Sequence, residues 1–162
     1  MKNNDSLRAW LLTLPPSCMV YPTSAIDRLK YHFWRLYTPC HPFLRDTLVK
    51  FRILWHRGRQ GFLIGRVPET HTIQEFISFL VEQGYGNHFV AWKDEGEIAG
   101  LRYVKDFVYQ YHIRVFEDGE VRGHYEYTPE CYPILHFFEI DQEDRREEFF
   151  ALLGSRIVPI KT

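Results

Sequence analysis

Hydrophobic positions change period between Val49 and Gly84, and the change predicts three elements. Val49, Phe51, Ile53 and Trp55 alternate with Lys50, Arg52 and His56, the spacing of a strand with one buried face. Gly58 and Gly61 bracket Arg59 and Gln60 as a turn, and Gly61 to Val67 resumes as a second strand, so the pair reads as a hairpin. After Pro68 the run Thr72-Ile73-Gln74-Glu75 is a capping box. The threonine hydroxyl can accept from the third helical N–H while the glutamate reaches back to the N–H of the cap. Ile73, Phe76, Ile77 and Leu80 then recur on one helical face, and Gly84 stands where a left-handed cap is wanted.

On the N-terminal side, Leu7, Trp10, Leu11 and Leu14 predict a short helix stopped by Pro15-Pro16. A second helix, capped by Thr23 or Ser24, carries Ile26, Leu29, Phe33, Leu36 and Tyr37 near one face. Asp27, Arg28, Lys30 and Arg35 decorate the other, and the helix ends before Pro39. Beyond the central helix, His88 to Trp92 reads as a strand and Ile98 to Val104 as a short strand or irregular crossing. Phe107 to Phe116 is a long aromatic strand, and Val121 to Tyr127 returns beside it. With Asp118-Gly119 as a two-residue loop, Val115 faces Arg122, Ile113 faces His124 and Tyr111 faces Glu126. Ile134 to Ile140 reads as a further strand. Gln142 to Leu153 reads as a helix closed by Gly154, with Phe149, Phe150, Leu152 and Leu153 inward.

The order hairpin, Val67-Pro68-Glu69-Thr70-His71-Thr72-Ile73 junction, helix, strand, crossing and long final strand resembles the ubiquitin-like β-grasp fold over about residues 49–116. The resemblance implies an α+β fold with a mixed sheet wrapped on a central helix, used as a recognition module. Two N-terminal helices (1–42) precede a core of 43–116, and a C-terminal hairpin and helix (117–162) pack on it as one domain. No exposed Gly-Gly terminus follows Phe116, so conjugation as a modifier is not expected. Fold analogy does not choose a ligand.

Composition narrows the class. Hydrophobic residues are 45% and aromatic residues 17% of the 162, which excludes a disordered chain. No apolar run is long enough to span a bilayer and no signal-like stretch opens the chain, so a soluble cytoplasmic protein without a membrane role is expected. The three cysteines, Cys18, Cys40 and Cys131, make no disulfide framework. Charge is uneven: residues 1–80 hold 11 Lys and Arg against 5 Asp and Glu, whereas residues 81–162 hold 9 against 16. Either the halves neutralise each other or the first offers a basic face to an anion.

Three constellations carry candidate chemistry. Tyr109, Tyr111, Tyr125 and Tyr127 give the aromatic hairpin more phenol rings than a core readily accepts, since each buried hydroxyl needs a partner. The expected function is therefore a non-catalytic interaction module binding a protein partner through these tyrosines, with no cofactor. Lys50, Arg57, Arg59 and Arg66 around the predicted turn suit phosphate and support an alternative, nucleic-acid binding. His124, Glu126 and His136 are the densest set of metal-type side chains and support a metal-dependent enzyme as the other alternative. No standard zinc spacing, nucleophile elbow or phosphate loop accompanies them, and hydrogen bonding within the hairpin and its crossing is the favoured account of them.

Overall fold

The computed structural model describes residues 2–53, 58–87, 93–133, 136 and 142–160. The protein is α+β. Among the described residues five helices accompany one antiparallel sheet of six strands. The helices are α1 (Lys2–Leu11), α2 (Ala25–Tyr37), α3 (His41–Lys50), α4 (Ile73–Glu82) and α5 (Arg146–Leu153). The strands are β1 (Phe62–Arg66), β2 (Gly86–Asn87), β3 (Glu97–Val104), β4 (Tyr109–Phe116), β5 (Glu120–Tyr127) and β6 (Val158–Pro159), in the order β2-β3-β4-β5-β1-β6. None of the described helices is long and apolar enough to cross a membrane.

Over its described residues, 49–53, the predicted first strand is not formed, and 54–56 lie outside the described residues. Val49 and Lys50 close α3, Phe51 caps it, and Arg52 takes a positive φ of 57°, so the alternating pattern is spent on a helix end and a turn. His56 and Arg57 lie outside the described residues. Among the described residues β1 therefore has no hairpin partner before it. It pairs with β5 and β6, and this sheet order differs from the arrangement expected of residues 49–116. The capping box is present as predicted: Thr72 Oγ1 accepts from the Glu75 N–H at 3.2 Å, and Glu75 Oε2 accepts from the Thr72 N–H at 2.7 Å. The predicted strand 88–92 lies outside the described residues, although β2 begins just before it. At residues 133 and 136 the chain is helical, not extended, and His136 N–H donates to Tyr132 O at 3.1 Å.

One turn decides the chemistry of the sheet. The β4–β5 loop has three residues, Glu117, Asp118 and Gly119. Gly119 adopts φ 79° and donates its N–H to Phe116 O at 3.0 Å, the geometry that lets a third residue into a hairpin. Val115 therefore pairs with Val121, Ile113 with Gly123, His112 with His124 and Gln110 with Glu126, one residue away from the register a two-residue loop would set.

With that register the two faces of the sheet separate by polarity. Leu101, Ile113, Val115 and Val121 face Phe76, Ile77 and Leu80 of α4 and Phe149 and Leu153 of α5, and this is the hydrophobic core. Each fully buried side chain of this kind contributes about 1.5–3 kcal/mol. The other face carries Arg102, Gln110, His112, Arg114, His124 and Glu126, all buried. A polar face can be buried only if its groups satisfy one another.

Candidate metal centre

Two guanidiniums hold two regions of the polar face. Arg102 donates to Glu130 (3.0 and 3.2 Å), Gln110 Oε1 (3.1 Å) and Ser17 Oγ (2.5 Å), tying the 15–22 loop to the sheet. Arg114 stands 3.3 Å from Asp94 and 3.1 Å from Glu97. Burial pushes the Glu97 carboxyl up, against the pull of Arg114.

Glu126 is different. It is buried, and among the described residues no arginine or lysine reaches it. Gln110 Nε2 donates to its Oε1 at 2.7 Å. Three imidazoles complete the shell: His112 Nδ1 lies 3.5 Å from Oε1, His124 Nε2 3.1 Å from Oε2, and His136 Nδ1 3.4 Å from Oε2. One ligand atom each from His112, His124 and Glu126 lie within 4.8 Å of one another. His136 touches the same carboxylate from outside that group.

The β-sheet supplies this convergence without help from loops. His112 and His124 are directly opposed across β4 and β5, with ring centroids 5.0 Å apart, and Glu126 follows His124 by two residues on the same face. Gly61, at φ 83°, lets the 58–61 turn close over His124. A Cβ there would lie 3.0 Å from His124 Nδ1.

Protonation states follow from burial and neighbours. Burial pushes the His112 imidazole down to about 3, more than the hydrogen bond to Glu126 raises it, so this ring is neutral. Burial alone would raise the Glu126 carboxyl. The imidazoles of His136 and His124 outweigh it, holding the carboxyl well below the usual carboxylate range. The neutral His112 ring and the ionised carboxylate are forms that bind a metal ion, whereas the Coulombic pull of His136 and His124 on Glu126 acts only while those rings are protonated. Around a tetrahedral ion with bonds of about 2.0–2.1 Å, ligand atoms stand roughly 3.3–3.4 Å apart. Here His112 and His124 approach different oxygens of Glu126, at 3.5 and 3.1 Å, and the three candidate ligand atoms lie within 4.8 Å of one another.

The other candidate residues are placed apart from this centre. Tyr109, Tyr111, Tyr125 and Tyr127 are brought together on the opposite face, where the core ends. Tyr109 stacks on Tyr125 and Tyr127 with centroids 5.0 and 5.1 Å apart, and Tyr111 lies 4.8 Å from Tyr125. Tyr125 is buried, with the Arg145 guanidinium 4.8 Å over its ring. The other three are half-buried, and the Tyr111 hydroxyl donates to Glu148. The basic set is dispersed. Lys50 ends α3, Arg57 lies outside the described residues, and Arg66 is exposed near Asp118. Arg59 is engaged internally, 2.7 Å from Asp118, 3.2 Å from Glu120 and 4.4 Å over the Phe116 ring.

His112 is the candidate ligand that sequence reasoning missed. The two-residue loop assigned Ile113 to the position opposite His124, and a shift of one residue exchanges the faces. The signal that could have found it is Glu117-Asp118-Gly119 read as a three-residue loop. No family model, no curated protein and no solved structure matches the chain.

Proposed function

We propose that this protein binds one divalent transition-metal ion through His112, His124 and Glu126, and that zinc is the ion it suits. The observation that carries the reading is a buried carboxylate that, among the described residues, three imidazoles approach and no lysine or arginine does. Two nitrogen donors beside a carboxylate favour zinc over the oxygen-seeking magnesium and calcium. Gln110, bonded to the Oε1 of Glu126, orients the carboxylate from behind, as outer partners of metal ligands do.

Two histidines and one carboxylate leave a fourth tetrahedral position. Zinc held there would supply a Lewis acid that lowers the pKa of a bound water, with His136, 3.4 Å from Glu126 Oε2, as a further base beside the carboxylate. Metal analysis of the purified chain and cobalt(II) titration followed by visible absorption test the reading. One equivalent bound, with tetrahedral cobalt bands lost in His112→Ala and His124→Ala, is the expected result. A folded chain that takes up neither zinc nor cobalt would overturn it.

A second reading rests on the stacked tyrosines, whose half-buried rings offer low-entropy contact area to a protein partner. Under it, Tyr109, Tyr111, Tyr125 and Tyr127 are the contact surface of a recognition module. Tyr109→Ser with Tyr127→Ser should abolish capture of a partner that the wild type retains. Equal capture by both would remove this reading.

A further inference from the structure

We propose that the pocket between the end of α4, strands β3 and β4, and α5 binds a small organic cation, a methylated ammonium head held among the rings of Tyr85, Tyr103 and Tyr111. Three elements bring the rings together. Tyr103 and Tyr111 are directly paired across β3 and β4 on the core side of the sheet, and Tyr85 follows the cap of α4. Gly84 turns the chain there at φ 91°. A Cβ on it would stand 3.3 Å from the Tyr103 ring, so the residue that ends the helix also admits the ring. The centroids of Tyr85 and Tyr103 are 5.7 Å apart with planes tilted by 40°, and those of Tyr103 and Tyr111 are 6.4 Å apart with a tilt of 45°. The rings are neither stacked nor edge-on, and all three line one cavity of 310 Å³. That is the lower end of the range of about 300–1,000 Å³ found for small-molecule sites.

Charge selects the ligand. Glu148 of α5 is the one charged side chain on the pocket wall among the described residues. Among the same residues no lysine or arginine stands over Tyr85, Tyr103 or Tyr111, whereas other rings have a cation from the chain itself: Lys30 lies over Tyr132, Arg59 over Phe116, Arg145 over Tyr125 and Arg156 over Phe79. The face of an aromatic ring is negative and attracts a cation placed within about 6 Å of its centroid. The Tyr111 hydroxyl donates to Glu148, and this charge-assisted bond pushes electron density into the ring, which strengthens the attraction. The same bond holds the Glu148 carboxyl below its ordinary value, so it carries its charge at neutral pH.

Glu148 also accepts from Arg145 at 2.9 Å, but that guanidinium comes from above Tyr125, which is no part of the pocket wall. Both partners are exposed, and an exposed pair is worth little in water. A quaternary ammonium asks no hydrogen bond of the carboxylate, only its field, so the two bonds Glu148 already makes leave the site open to it. The pocket shares no residue with the metal centre and only Tyr111 with the tyrosine row.

The test is an NMR titration of the full chain with choline, read on the choline methyl signal and the tyrosine ring resonances, beside the uncharged isostere in which carbon replaces the nitrogen. Choline should bind at one site and the isostere should not. Tyr103 is 40% exposed, so its variants keep the fold. Tyr103→Leu should weaken choline about 3–30-fold, the worth of one cation–π contact, and Tyr103→Phe should retain it. Glu148→Gln should weaken it as well, and zinc uptake should be unchanged in all three. A short peptide bearing trimethyllysine distinguishes the sources of the head: tighter binding than choline assigns it to a modified side chain, weaker binding to a free small molecule. No binding of choline or peptide at millimolar concentration, equal binding of the uncharged isostere, or affinity indifferent to Tyr103→Leu overturns the proposal.

Discussion

Replacing Glu126 by glutamine changes one atom and one charge at the centre of the polar face, and the two accounts of that face predict different responses to zinc. The amide oxygen can still accept the hydrogen bond that Gln110 Nε2 gives to Oε1 at 2.7 Å, and side-chain volume is retained. What is lost is the negative charge that His112, His124 and His136 surround at 3.1 to 3.5 Å. If a metal ion belongs there, zinc at a hundredfold excess over its dissociation constant stabilises the wild type by about 2.7 kcal/mol. For a chain of this size each kcal/mol moves the melting temperature by about 2–4 °C, so the zinc-induced rise is about 5–11 °C.

In Glu126→Gln the rise should collapse to near zero. In chelator the variant should melt below the wild type, because the imidazoles that hold the Glu126 carboxyl low stabilise its anion with no metal bound. If instead Glu126 serves only as the anion of a purely protein ion cluster, its loss strands buried imidazolium charge. The variant is then destabilised by about 3–5 kcal/mol with or without zinc. Differential scanning calorimetry in chelator and in zinc separates the cases. A wild type insensitive to zinc, or a variant still fully responsive to it, refutes the metal assignment.

Other parts of the chain give further tests. Arg114→Met should lower stability by about 3–5 kcal/mol in urea titration, since it leaves Asp94 and Glu97 buried without their guanidinium, and adding Glu97→Gln should recover part of the loss. Thr72→Ala removes the oxygen that caps α4 and should cost about 1 kcal/mol by the same titration, without altering metal uptake. Gly119→Ala meets no atom closer than 3.9 Å, so its cost is conformational, about 1–2 kcal/mol for a non-glycine at φ 79°. Tyr111 is pushed up to about 12 by burial and by its hydrogen bond to Glu148, so its contribution is intact below pH ~10 and is lost as pH rises through about 12. Tyrosinate absorbance should show it among the last phenols to ionise, and Tyr111→Phe should flatten the alkaline fall in stability.

The elements best read from sequence are those whose local signals agree. At α4 the capping box, the apolar spacing of Phe76, Ile77 and Leu80, and Gly84 all point to one helix, and all are present. At Val49 to Ile53 the signals conflict. The period-two pattern favoured a strand, but α3 continues to Lys50 and the pattern is broken by Arg52. A run this short is ambiguous because three or four apolar residues fit both periods, and tertiary packing chooses. For α2 the helix was legible and its orientation was not. Periodicity shows that a face is apolar and leaves open whether this chain or another covers it. Exposure of Ile26, Leu29, Phe33 and Leu36 is thus consistent with the sequence pattern, although it reverses the expected burial.

The candidate site was half legible, and the reason is geometric. His124 and Glu126 lie two apart in one strand, so their shared face follows from the pleat whatever they pair with. The third ligand depends on pairing between strands, where a difference of one residue moves every side chain to the other face. A two-residue loop would set Ile113 beside His124 and leave the carboxylate facing the core. The three-residue loop at Glu117-Asp118-Gly119 sets His112 there instead. The same slip sends Ile113, Val115 and Val121 together under α4, so the hydrophobic core and the polar centre require the same register. Burial of the core thereby stabilises the convergence of His112, His124 and Glu126. A loop variant that restored the two-residue turn should lose the folded core and the metal ligands together.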